Sequence, residues 1–403
     1  MNIYLSLKRL FRGMGGVLRS VLLVAAAGIL TAAQAQTVQG VTETEILIGV
    51  VTDLSGPLTA SGGNQRNGMI MAAEEINAAG GVHGRKINMM FEDSGMDPKK
   101  AVLATQKLLS DNKIFAMIGT LGSAATQASM PLALERNVPV LFPIATGDIA
   151  FKPFHPLKFG LQPLSSEHMR VAVKFAYEKL GKRHFGIIYQ DDETGQSALR
   201  AAEVQLKALG LTVVERASYK RGDTNRVSQI ARLKAANIDM LLLGGAGTPA
   251  DIAGVALETR AQNWPIDMIT YSGAIAAVVK LGGPAVEGLY SMGMFTGTAQ
   301  DSTPPFQAVL DRYKARFGYE LETPADYGYV SLMLFAEGAK NAGRNLTPQT
   351  LSQGLEKVKN FKTVFAVPPI SYGPNDHSPP SEALVLQVRD GKWKVVAGPL
   401  TVN

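Results

Sequence analysis

The chain has 403 residues, with 40 Lys or Arg, 34 Asp or Glu and no Cys. The missing thiols exclude disulfides, thiolate catalysis and zinc–thiolate centres together, and a chain this long buries adequate cores without cross-links. Setting aside Lys8, Arg9, Arg12 and Arg19 at the N-terminus leaves 36 basic against 34 acidic residues, close to neutral and without a basic tract for nucleic acid.

The first element is not part of the fold. Those four basic residues precede a short apolar run, Val21 to Leu30, and then Ala33-Gln34-Ala35, a small-x-small cleavage signal. Ten or so apolar residues are too few to span a bilayer of roughly 30 Å. Residues 1–35 therefore read as a cleavable export signal, with a mature chain beginning at Gln36. Beyond it, Ile46 to Val51 is an apolar, β-branched strand that stops at the turn cluster Asp53-Leu54-Ser55-Gly56-Pro57. Met69, Ile70, Ala73 and Ile76 have helical spacing and predict a helix over 67–77, closed by Gly80-Gly81. A strand over 86–92 leads to Asp97-Pro98, an N-cap with proline in the first turn, and to a helix ending near Ser110.

Further strands are predicted over 115–118 and 138–142. A second series follows, with strands over 184–189, 211–219, 238–243 and 266–270 and helices over 166–180, 195–209, 225–236 and 249–262. Helical patterns over 304–317, 326–341 and 348–358 come next, and strands over 383–388 and 393–396 flank the Asp390-Gly391 turn. Alternating strands and helices define an α/β fold with mainly parallel sheets, and two series of similar length predict two Rossmann-like lobes.

Three segments of the first series, 53–57, 78–87 and 97–101, together resemble the type I periplasmic solute-binding proteins of the leucine/isoleucine/valine-binding family. That resemblance implies an exported ABC-importer component in the periplasm, with lobe 1 made of 36–162 and 293–374 and lobe 2 of 163–292 and 375–403. It also implies three hinge crossings, near Pro163, Gly293 and Gly373.

In open α/β sheets, ligands gather beyond the carboxyl ends of strands, where helix N-termini point unpaired amides outward. Two such loops are rich in hydroxyls: 119–126, with Ser123 opening a helix, and Pro143-Ile144-Ala145-Thr146. By the resemblance, Ser123 and Thr146 hydrogen-bond a ligand carboxylate, while the Ile144 main chain, next to Ala145, contacts the neighbouring polar group. Opposite them the family's walls fall on Ser61, Thr194 and Ala246, all small here, and its ammonium-holding acid falls on Gly273. The expected ligand is therefore a small carboxylate, and an aromatic or other non-amino acid in preference to a branched-chain amino acid. Asp192, Glu193 and Asp251 are the nearby acids that would restore an ammonium site.

Other motifs carry less. Gly245-Ala246-Gly247-Thr248-Pro249-Ala250 resembles a dinucleotide fingerprint but does not open the first βαβ unit of its lobe. The five histidines have no ligand spacing, and no nucleophile–base pair is present. The stripe of Tyr329, Leu332, Met333, Phe335 and Ala336 reads as core. The expectation is a monomeric solute receptor, without enzymatic activity, cofactor or metal, which closes by a hinge around its ligand and docks on an inner-membrane permease. A sensory receptor on the same fold is the alternative.

Overall fold

The computed structural model describes residues 38–145, 152–220, 222–245, 248–273, 276–294, 304–365, 369–378 and 381–402. The expected export signal, Thr146 and Ala246 lie outside them.

The first sheet is built around Glu45–Thr52 (β1), whose Ile46, Ile48, Val50 and Val51 are all fully buried. A strand apolar on both faces belongs in the middle of a parallel sheet covered by helices. Lys86–Asp93 (β2), Ala116–Ile118 (β3), Val140–Leu141 (β4) and Lys158–Phe159 (β5) complete it in the order β2-β1-β3-β4-β5, every pair parallel. Between them run Thr59–Ala78 (α1), Pro98–Ser110 (α2) and Ser123–Glu135 (α3). Asp97 caps α2 as its sequence predicts, its side chain accepting from Lys99 N.

Helix α1 corrects the predicted start. It begins at Thr59, not at residue 67, although Ser61-Gly62-Gly63 is a poor helix former. Tertiary packing decides the matter. A Cβ on Gly62 would lie 1.9 Å from the Asp53 carbonyl, so the helix start rests directly on the end of β1. Three residues later Gln65, fully buried, accepts from the Thr52 hydroxyl at 2.7 Å and donates to the Gly119 carbonyl, tying α1 to the ends of β1 and β3.

The second sheet has seven strands. Phe185–Gln190 (β6), Val213–Tyr219 (β7), Met240–Gly244 (β8), Asp267–Thr270 (β9) and Tyr290–Gly293 (β10) are parallel; Ala383–Arg389 (β11) and Lys392–Leu400 (β12) run antiparallel at one edge. Side chains alternate between two apolar layers, Leu241 and Leu243 of β8 entering one and Met240 and Leu242 the other. Ser165–Glu178 (α4), Glu193–Ala208 (α5), Val227–Ala235 (α6), Pro249–Ala261 (α7) and Ala276–Gly282 (α8) accompany it. Strands β5 and β10 and helix α8 were not predicted; two to seven residues carry too little periodicity.

After β10 the chain returns to the first sheet. Pro304–Phe317 (α9), Ala325–Ala342 (α10) and Pro348–Glu356 (α11) pack there. Helix α10 crosses α1 at glycines on both sides: a Cβ on Gly68 would lie 1.9 Å from the Ala325 carbonyl, and one on Gly328 2.3 Å from the Gln65 carbonyl. The Tyr372 hydroxyl donates to the Gly160 carbonyl at 2.5 Å, and His377 stacks on Phe159 at 3.6 Å, before the chain enters β11 in the second sheet. Among the described residues no helix is long and apolar enough to cross a membrane.

The crossing makes a direct prediction. Gly68→Ala must push α10 off α1 and is expected to destabilise by about 1–3 kcal/mol. Gly63→Ala, in the same helix, adds a methyl group that meets nothing within 4 Å and should stabilise by about 0.5–1 kcal/mol. Urea denaturation of both variants checks this, and equal effects would remove the crossing's role.

Candidate functional site

A cleft lies where the strand ends of the two sheets meet, and it consists of two adjoining chambers of about 190 and 200 Å³. Leu58, Leu121, Ile144, Gln162, Tyr271 and Ser272 line both, so the chambers share an apolar floor and an aromatic wall.

The first chamber holds Ser123 and Thr194. Ser123 is the first residue of α3 and not its cap. The cap is Gly122, at φ 96°, and it offers no side-chain oxygen to the first-turn amides. Gly122, Ser123, Ala124 and Ala125 all line the chamber, so the amide-bearing first turn of the helix is turned toward it. Helix α5, facing them from the second sheet, differs: Asp192 caps it, accepting from Gly195 N at 3.1 Å, and also accepts from the Gln190 amide. The chamber thus pairs an uncapped helix start with a self-capped one.

Ile144 lines both chambers with its side chain, and its main chain is already hydrogen-bonded. Its N–H donates to the Thr120 carbonyl and its carbonyl accepts from Gly122 N, each at 2.9 Å. These two bonds brace the loops against each other; the carbonyl, with a second lone pair, is the main-chain group that can still accept from a ligand. Ala145 is 2% exposed and packs in the core of the first sheet.

The second chamber holds Ser61 and Gly273 together with residues that sequence reasoning passed over. Gly273 is at φ 102°, with no room for a Cβ beside Ile252. It brings no acid, as the sequence shows, but the fold adds one that was not among the three considered. Asp326, in the first turn of α10, lines the same chamber with Thr323 and Tyr327. It is fully buried; the Thr323 hydroxyl donates to it at 2.7 Å and Tyr327 N at 2.8 Å. Burial pushes its carboxyl up to about 6, against the hydrogen bonds from Thr323 and Tyr327, which lower it.

The neighbouring groups do not balance this charge. His168 is buried, its Nδ1 lies 3.1 Å from the Tyr271 carbonyl, and burial holds its imidazole down at about 4, so it is neutral. Gln162 leaves its Oε1 buried with no hydrogen-bond partner. Of the three acids considered from sequence, Asp192 lines the first chamber, whereas Glu193 pairs with Arg200 at 3.1 Å and Asp251 with Arg226 at 2.5 Å. Asp53 lines the first chamber too, accepting from the Ser94 hydroxyl at 2.6 Å and Met96 N at 2.7 Å. Among the described lining residues there are three carboxylates and no lysine or arginine. No group of His, Asp and Glu among the described residues has the arrangement of a metal site.

Comparison with known proteins agrees with this architecture. Residues 45–392 match the model of the periplasmic binding protein family. The Leu/Ile/Val/Thr-binding protein of Salmonella typhimurium is 27% identical over 273 residues, covering 68% of this chain and 73% of that protein. A leucine-binding protein from Thermotoga maritima superimposes with a TM-score of 0.77 at 21% identity, over 87% of this chain and 98% of its own. A fatty acid ABC transporter substrate-binding protein from Thermomonospora curvata does so with a TM-score of 0.77 at 22% identity, over 90% of this chain and 93% of its own. The two sheets and the cleft between them are those of a type I solute-binding fold. The chain belongs to the periplasmic binding protein family.

Asp326 also sets a pH dependence. The native state keeps its proton up to about pH 6, while the unfolded chain releases it near 3.8. Its contribution to stability is therefore full below about pH 4 and is lost as pH rises through about 6, by on the order of 3 kcal/mol. Asp326→Asn is expected to raise the unfolding temperature of the ligand-free protein at pH 8 and to change it little near pH 4. Calorimetric scans across this range check the sign; a pH-independent difference contradicts it.

Proposed function

We propose that this chain is the periplasmic solute-binding component of an ATP-driven importer and takes a small carboxylate with an apolar body between its two lobes. The single observation that carries this reading is the cleft itself, in which Ser123 and the uncapped start of α3 face Thr194 and Tyr271 across an apolar floor. A helix start supplies oriented N–H groups and a partial positive charge to an anion, and a carboxylate fits both. The named relatives support the class, since branched-chain amino acids and fatty acids share a carboxylate and an apolar chain and little else.

In this reading residues 36–162 and 293–374 form one lobe and 163–292 and 375–403 the other, with an export signal preceding them. The resemblance gives Thr146 the role of a second hydroxyl for the carboxylate and Ala246 that of an opposite wall, both outside the described residues. No bond in the ligand need be broken. A ligand that touches both lobes only when they are closed shifts the population toward closure by its differential affinity, and the closed monomer is the form a permease recognises. A purely apolar, non-amino acid would leave Asp326 buried beside it without a countercharge, which is costly. The balance therefore moves from the non-amino acid expected at Gly273 toward a ligand that also carries a cation.

Two measurements test this reading. Ser123→Ala should weaken carboxylate binding by about tenfold or more, the worth of one charge-assisted hydrogen bond of roughly 1.5–3 kcal/mol. Unchanged affinity by calorimetry sinks the carboxylate assignment. X-ray scattering should give a smaller radius of gyration at saturating ligand than without it, and an identical profile argues against hinge closure.

A further inference from the structure

Asp326 has no counterpart in the expected grip on a ligand, and three features of the second chamber converge on it. The carboxyl is fully buried, yet the described lining of its chamber contains no lysine or arginine, and the one histidine there is neutral. Its two protein donors are neutral, a hydroxyl and an amide, so its charge is solvated but not cancelled. Gln162, in the wall shared by both chambers, holds a buried acceptor oxygen without a donor. A buried carboxylate with no partner ion is costly, and a protonated nitrogen in this chamber would supply that ion to Asp326.

Position decides what kind of molecule brings that nitrogen. Ser123 lines the first chamber and not the second; Asp326 lines the second and not the first. Between them lies the shared floor of Leu58, Leu121 and Ile144, with Tyr271 alongside. An α-amino acid carries both charged groups on one carbon, whereas an elongated molecule with an apolar or aromatic middle reaches from one chamber into the other.

We propose that Asp326 is the cation-recognising residue of the cleft, and that the ligand is a carboxylate bearing a protonated nitrogen several bonds from its carboxyl carbon, lying from Ser123 to Asp326. This rests on the carboxylate reading above and adds the second charge and its distance. An acid in the first turn of a helix also serves as a capping group, so the test must separate recognition from support of α10.

Three matched pairs do so by calorimetry on the purified protein at pH 8: 5-aminopentanoate against pentanoate, 4-(aminomethyl)benzoate against 4-methylbenzoate, and leucine against 4-methylpentanoate. In the wild type the amino member of the first two pairs is expected to bind about tenfold or more tightly than its partner, whereas leucine gains less over 4-methylpentanoate. In Asp326→Asn, which keeps an acceptor for Tyr327 N and turns an amide donor toward the Thr323 hydroxyl, the advantage should fall below about twofold. A capping role alone would lower both members of each pair together and leave their ratio unchanged. Equal binding within the first two wild-type pairs overturns the proposal without need of any variant. So do an advantage that survives Asp326→Asn, a larger advantage for leucine, and failure of all six probes to bind. Failure of the underlying carboxylate reading looks different: pentanoate and 4-methylbenzoate would then bind wild type and Ser123→Ala alike.

Discussion

The tightest constraint in the molecule is the contact of α1 with α10, where the Gly68 and Gly328 backbones meet the carbonyls of Ala325 and Gln65 with no space for a methyl group. That contact brings a late segment of the chain back onto the first sheet. It also sets the start of α10 against the middle of α1, and Asp326 and Ser61 share one chamber although 265 positions separate them in sequence. Ridges of larger side chains would hold two helices some 8–10 Å apart; glycine on both sides removes the ridge and lets polar backbone line the join. Without it the second chamber would lack its wall and its only described ionised group.

The electrostatics of the cleft follow from which groups are already satisfied. Asp192 is held by a donor of its own loop and Asp53 by Ser94 and Met96 of the loop after β2, bonds that tie down the loops as much as they charge the cavity. Asp326 is held by neutral donors and enclosed, which is why burial moves its carboxyl upward. Opposite the acids stands the uncapped start of α3, which is electropositive by backbone geometry alone. The first chamber thus sets the α3 start beside two carboxylates already held by protein donors, and the second holds Asp326 with neutral donors alone. The ion pair of Arg226 with Asp251, stacked under Tyr219, belongs instead to the interior of the second sheet's helices.

Much of the fold was legible because its strands are apolar runs between glycine or asparagine turns. The run around Ile46 to Val51, the Asp97-Pro98 helix start and the helix over 304–317 needed no tertiary information. Helix α1 was misjudged at its start because Ser61-Gly62-Gly63 is helical only through its seat on the end of β1. The cleft was half legible. Ser61, Ser123, Thr194 and Gly273 do line it, since loops after parallel strands must converge. Tyr271, Tyr327 and Asp326 were missed, the last because an acid in the first turn of a helix is ordinary. One signal was available: Asp326 has no basic residue a turn away, Tyr329 and Val330 occupying those places, in a helix otherwise apolar on that face.

The Gln65 clamp bears on how the specificity of such a cleft can drift. One side chain joins α1 to the ends of β1 and β3, so the loops on that side form a single braced unit, and a substitution in one is felt by the others. Across the cleft the ties run loop to loop in pairs. A Cβ on Gly245 would lie 2.6 Å from Gly195 Cα, joining the loops after β6 and β8, and Asp251 pairs with Arg226 at the start of α6. Neither side of the binding surface is therefore free to change one residue at a time, and a shift in ligand preference would need matched substitutions in more than one loop.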